Sequence, residues 1–207
     1  GFRTRHLSLP KNCGELQAWK SRLTIGAGIP NILLYLHSAF STPIVCGKLA
    51  IKKMIIDRGG IAKLFDFGLS ISLPPGKSWV EDQLKWIHVP SGPQGFKSNI
   101  VTLKSDVYSF GVLMLMLFTG ETDAIKYDEE MGGRIYILDY VKRHILNNQF
   151  NQIVDQNMFK QQGNYNDPEV EQQLLDFLDL ALRCTEHDRA DRPDMIEVAK
   201  LLRQMEK

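Results

Sequence analysis

The 207-residue sequence is poor in the features that mark secreted, metal-stapled or membrane proteins. Its three cysteines, Cys13, Cys46 and Cys184, are far apart, odd in number and without a paired metal spacing, which favours reduced thiols over a disulfide framework. The five histidines, His6, His37, His88, His144 and His187, also lack ligand spacing, leaving them surface or hydrogen-bonded roles. No apolar run approaches the roughly 18 residues of a membrane span. The longest, Val112 to Phe118, is far shorter, and the N-terminus has no signal-peptide pattern. Neither charge dominates: 25 Lys plus Arg against 24 Asp plus Glu leave a net charge of +1. No basic run is long enough to track a phosphate backbone, so nucleic acid is not expected as a partner. The expectation is a cytosolic chain, reaching the inner face of the plasma membrane only through partners.

What is present suffices for one domain with a core: 43% of residues are hydrophobic and 24% charged. Helices dominate the pattern. Leu23, Ile29, Leu33 and Leu36 follow a helical period interrupted by Gly26, Gly28 and Pro30, which predicts a helix kinked at Pro30. "MII" and "AKLF", separated by "DRGG", read as two strands of a small β-hairpin. Leu73 to Phe96 is rich in Pro, Gly and Ser and reads as a long loop. Ser105 is placed to cap a helix over "DVYSFGVLMLMLFTG", apolar on nearly all sides and so the buried centre, with Gly120 beyond its end. Three further helices are predicted. The first covers about 133 to 147; the second, about 168 to 184, carries a stripe of Leu174, Phe177, Leu178 and Ala181. The third covers about 194 to 206, with Met195, Val198, Leu202 and Met205, and Pro193 suits its first position. Residues 1–17 are read as a tail or hinge remnant and 18–207 as one mainly α domain.

Three motifs occur in order: Asp66-Phe67-Gly68, the run from Ser105 to Gly111, and "CTEHDRADRPDMIEV" near the C-terminus. Together they resemble the C-terminal lobe of a protein kinase, over roughly residues 18 to 204. The wording of "LHSAFSTPI", "AKLFDFGLSIS" and "DVYSFGVL" is similar to plant receptor-like kinases of the wall-associated-kinase-like branch. Within it, the chain looks most like the cytoplasmic pseudokinases that partner intracellular immune receptors. The resemblance implies a fold with Asp106 and Arg192 in structural roles, a catalytic-loop position at 46–53 and an activation-type loop at 66–94. It also implies family chemistry with ATP and magnesium.

The sequence departs from that chemistry. A kinase catalytic loop reads H-R-D-x-x-x-x-N, its Asp taking the substrate proton and its Asn holding metal. An ungapped alignment places Cys46, Gly47, Lys48 and Lys53 at those four positions. A protonated lysine has no lone pair to offer, and a cation at 53 repels the metal. Only about 18 residues precede the first helix, too few for a glycine-rich loop, a strand lysine and its glutamate. An N-terminal lobe is therefore expected to be absent. The A-P-E tripeptide falls on Gly92-Pro93-Gln94, so Gln94 replaces the glutamate that pairs with Arg192, and its carbonyl is expected to keep a hydrogen bond to that arginine.

Each candidate residue has a plainer reading beside the functional one. Asp66 is either a metal ligand or, with Lys53 near it, an ion-pair partner. Cys46 lacks a paired base and reads as a buried, inert thiol. Ser70, Ser72, Ser78 and Ser91 are candidate phosphorylation sites or ordinary turn residues. Trp79 and Trp86 either contact a protein partner or fold back onto the lobe. The resulting expectation is a catalytically inactive pseudokinase lobe needing no cofactor or metal. It would act as an adaptor for a protein partner, such as an immune receptor or an active receptor-like kinase. The alternatives are a fragment of a serine/threonine receptor-like kinase that binds ATP through a lobe outside this sequence, and a decaying product without a role.

Overall fold

The computed structural model describes residues 5–6, 18–47, 49–57, 61–81, 100–159 and 167–207. Its longest helix, α1 (Trp19–Ser38), buries Trp19, Leu23, Ile25, Ile29 and Leu33. It remains helical through Pro30. Proline there removes one backbone donor, and tertiary burial of the surrounding face holds the helix together across the gap. Gly26 allows α1 to approach its neighbour: a Cβ there would sit 3.2 Å from the Phe177 ring. At Gly28 a Cβ would meet nothing within 4 Å, so that glycine has no packing role.

Short strands follow. β1 (Arg5–His6) and β4 (Ala62–Leu64) flank β3 (Met54–Ile56) in one antiparallel sheet, and β2 (Ile44–Val45) pairs with β5 (Ile71–Ser72). β6 (Trp79–Glu81) pairs with β7 (Ile100–Thr102), with Trp79 opposite Thr102. The expected 54–64 hairpin is therefore present, but it is one of four small antiparallel sheets among the described residues. The stretch read as one loop from Leu73 contributes a strand, because the alternation of Trp79, Val80 and Glu81 suits the edge that Ile100–Thr102 offers.

The centre of the molecule is α2 (Leu103–Thr119), in which every residue from Ser105 to Phe118 is buried. Its start differs from the expectation: Thr102 is the N-cap, and Ser105 sits inside the first turn, its Oγ accepting a hydrogen bond from the Thr102 N–H at 3.1 Å. At the other end Gly120 takes the left-handed conformation (φ +74°) that closes a helix.

The helix expected over 133–147 is a correction. β8 (Ile125–Asp128) and β9 (Gly133–Tyr136) form a hairpin, and α3 begins only at Ile137 and ends at Leu146. Gly132, at φ +63°, makes a turn no helix can enter, and the Asp128 carboxylate fastens it by accepting from the N–H groups of Glu130 and Met131. A short helix α4 (Phe150–Ile153) leads on to α5 (Pro168–Cys184) and α6 (Met195–Met205). α5 starts with Asp167 as N-cap and Pro168 in the first turn, and it buries the expected stripe of Leu174, Phe177, Leu178 and Ala181. Asp194 is the N-cap of α6, so Pro193 lies just outside that helix and not at its first position. No helix among the described residues is long and apolar enough to cross a membrane.

α2 and α5 touch where Gly111 passes the end of α5. A Cβ at position 111 would lie 2.7 Å from the Cys184 Cβ, 2.8 Å from the Thr185 Cγ2 and 2.9 Å from the Ala181 carbonyl oxygen. Gly111→Ala should lower stability by about 1–3 kcal/mol through overpacking. Gly28→Ala should instead raise it by roughly 0.5–1 kcal/mol through helix propensity. Urea unfolding followed by circular dichroism would read both, and opposite signs at the two glycines are the expected result.

Candidate functional site

The site is assembled around Asp106 in the first turn of α2. Its side chain is completely buried, and its two oxygens accept from the backbone N–H groups of Cys46 and Gly47, each at 2.8 Å. The Nε2 of His37, at the end of α1, lies 2.8 Å from Oδ2. Pairing of β2 with β5 delivers the chain to this point, with Val45 sealed in the core, and Gly47 turns it away at φ +91°. The Ser70 hydroxyl donates to the Cys46 carbonyl at 3.0 Å, tying the two loops together. Of the candidate phosphorylation serines, Ser70 thus has a structural bond.

The side chains carried by this scaffold offer little chemistry. Cys46 is 7% exposed; burial first, and the Asp106 carboxylate second, push its thiol up to about 12. A thiol held protonated is neither base nor nucleophile. Gly47 has no side chain, and Lys48 lies outside the described residues. Lys53 ends a single 3-10 turn (Ile51–Lys53) and points its Nζ at Asp66, 3.0 Å from Oδ2 and 3.4 Å from the carbonyl oxygen. Asp66 takes a left-handed backbone (φ +64°), and its other carboxylate oxygen accepts from the Gly68 N–H at 3.2 Å. The hydrogen bond from Lys53, then that from Gly68, hold the Asp66 carboxyl below its ordinary range. The ion pair inferred from the charge reversal is formed. Phe67 is 43% exposed.

Two other expected residues lie apart from this centre. Arg192 is 1% exposed and donates to the carbonyls of Glu186 (2.8 Å), Lys104 (3.1 Å) and His187 (3.4 Å), its guanidinium over the Tyr108 ring. Burial brings that guanidinium down to about 10. Gln94, its expected partner, is outside the described residues, as is Trp86. Trp79 is half exposed on β6. The reading from the sequence missed His37 as a partner of Asp106. It ends a helical run 69 positions earlier, and its only signal was a polar ring on the inner side of α1.

The profile of the family described as protein tyrosine and serine/threonine kinase matches residues 9–202. The chain belongs to the protein kinase family. Its relatives place it among plant receptor-like kinases and their pseudokinases. It is 34% identical over 196 residues to the non-functional pseudokinase ZED1 of Arabidopsis thaliana, covering 94% of this chain and 58% of that protein. It is 35% identical over 196 residues to the serine/threonine-protein kinase ZRK1 of the same plant, covering 93% and 53%. The putative wall-associated receptor kinase-like 13, also from Arabidopsis thaliana, is 33% identical over 192 residues, with 89% and 23% covered. The chain spans about half the length of ZED1 and ZRK1.

Against kinase chemistry, the donor set does not suit magnesium. The Asp66 carboxylate is engaged by an ammonium 3.0 Å away, and that ammonium stands where the second metal ligand is required.

Asp106→Ala should destabilise the chain by about 3–5 kcal/mol, the cost of leaving buried donors without their anion. Asp106→Asn should cost less, since it keeps one acceptor; chemical denaturation of both variants is the measurement. At the surface, Asp66→Asn should lower the melting temperature of the wild type and change it far less in a Lys53→Met background. Because the Asp66 pKa is depressed by folding, this contribution is present above the ordinary carboxylate value of about 3.9 and is lost as pH falls through the lower folded value. Melting temperatures of the four proteins across pH 2 to 6, roughly that window, should show the coupling vanish at the acid end.

Proposed function

We propose that the chain is a catalytically inactive, kinase-like C-terminal lobe that acts as a protein-binding adaptor in plant receptor-like kinase or immune signalling. The observation that carries this reading is the Lys53–Asp66 pair: an internal ammonium occupies the carboxylate that the family uses for metal. The other side chains agree with it. Neither Cys46 nor Gly47 offers a carboxylate to take a substrate proton, and the Cys46 thiol is held protonated. Relatives named non-functional or inactive, ZED1 and ZRK12 among them, favour the same conclusion.

A lobe that does no chemistry keeps its scaffold for another reason, and presentation of a rigid surface is the use the structure supports best. Trp79 fits a contact residue, since it stands 49% exposed on an ordered strand. The partner in this reading is another protein, such as an immune receptor or an active receptor-like kinase.

Thermal unfolding with and without magnesium and ATP tests the inactive assignment. No ligand-dependent rise and no phosphate transfer to a generic substrate are expected. A rise that disappears in Asp66→Ala would mean that the site binds nucleotide and would overturn the assignment. Trp79→Ala should lower the melting temperature only slightly, because the ring is half exposed, while clearly weakening association with a purified candidate receptor or kinase.

A further inference from the structure

The β8–β9 hairpin is amphipathic in the opposite sense to a free surface. Its inward side carries two charged residues, Lys126 and Asp128, beside Ile135. Lys126 lies 3.7 Å above the Tyr140 ring and 2.8 Å from a Glu121 oxygen, and Asp128, 4% exposed, is paired with Arg143 of α3. Its outward side is apolar. The register sets Ile125 opposite Tyr136 and Tyr127 opposite Arg134, and strand alternation puts all four on the outer face. Ile125 and Tyr136 are 42% exposed, Tyr127 64%, and Met131 at the turn 66%. These four belong to the twelve exposed large hydrophobic residues found among the described residues, so a third of that set lies within residues 125–136.

Arg134 adds a charge to this face. Its guanidinium makes no ion pair or hydrogen bond with any described residue. Of the acids nearby, Asp128 and Glu130 face Arg143 and Glu121 faces Lys126, while Glu129 in the turn is exposed. The outer face is therefore a cation framed by two phenols and an isoleucine. Tyrosine and arginine are the residue types that dominate binding energy at protein interfaces. The polar contacts below anchor the hairpin to α3, so little ordering entropy would be lost on contact.

We propose that the outer face of this hairpin is a docking surface for a protein segment that presents a carboxylate within an apolar stretch. Arg134 would take the carboxylate in a charge-assisted hydrogen bond, and Ile125, Tyr127 and Tyr136 would cover the apolar flanks.

The test is selection of a displayed library of random peptides on the 207-residue chain, followed by titration of the enriched peptide in solution. The expected consensus has an acidic residue beside leucine- or phenylalanine-like residues. Binding should weaken by about tenfold or more in both Arg134→Glu and Tyr127→Ala, with melting temperatures unchanged because both side chains are exposed. Replacing the peptide's acid with lysine should restore binding to the Arg134→Glu chain, which a merely unfolded variant would not do. The proposal is overturned if no peptide is enriched, if the enriched peptides lack an acid, or if binding ignores both substitutions. It is also overturned if the face pairs with a second copy, seen as a concentration-dependent mass that Tyr127→Ala abolishes.

Discussion

One buried carboxylate organises the lobe. Asp106 is fully buried, and an anion in that position is tolerated because two backbone N–H groups and the His37 ring converge on it. The bonds join three parts of the chain far apart in sequence: the end of α1, the turn after β2 and the start of the central helix. Each part solves a problem for the others. The turn at Cys46 and Gly47 would otherwise bury two orphaned donors, and α2 would otherwise begin with an uncompensated charge.

This arrangement makes the shape of the turn at 46 and 47 independent of the side chains it carries. The bonds to Asp106 use main-chain groups at 46 and 47 and are indifferent to what those residues carry. Cys46 fills an apolar space, and the absence of a side chain at Gly47 suits the positive φ of the turn. Within the same loop system, the Lys53 ammonium neutralises Asp66, as a metal would, but from a covalent tether. Together with the Gly68 N–H, it holds the Asp66 carboxylate in place at the start of residues 66–68.

Arg192 shows the same economy at the other end of the domain. The carbonyls of Glu186, Lys104 and His187 surround it, and the Tyr108 ring lies beneath it. These contacts join the segment before α6 to the first turn of α2. Since the scaffold around α2 rests on its own bonds, the outlying hairpins can carry surface chemistry of a different kind. The charged residues beneath the β8–β9 hairpin and its apolar outer face are the clearest case.

The sequence alone determined the elements whose signals are local: the stripe on α5, the buried face of α6, the apolar centre of α2 and the order of the kinase motifs. Those signals repeat every three or four residues, or lie within a single short motif, so no distant partner is needed to read them. The Lys53–Asp66 pair was legible for a similar reason, because the motif spacing supplied the register and the signs of the charges did the rest. Only the tertiary structure decided that residues 133–136 form a strand, since Gly133-Arg134-Ile135-Tyr136 is ambiguous until Ile125–Asp128 is available to pair with it. It likewise decided that Thr102, and not Ser105, caps α2, that His37 completes the shell of Asp106, and that Arg192 donates to the carbonyls of Glu186 and Lys104. Each of these depends on which groups meet after the chain has folded, and sequence separations such as the 69 residues between His37 and Asp106 leave no periodic trace.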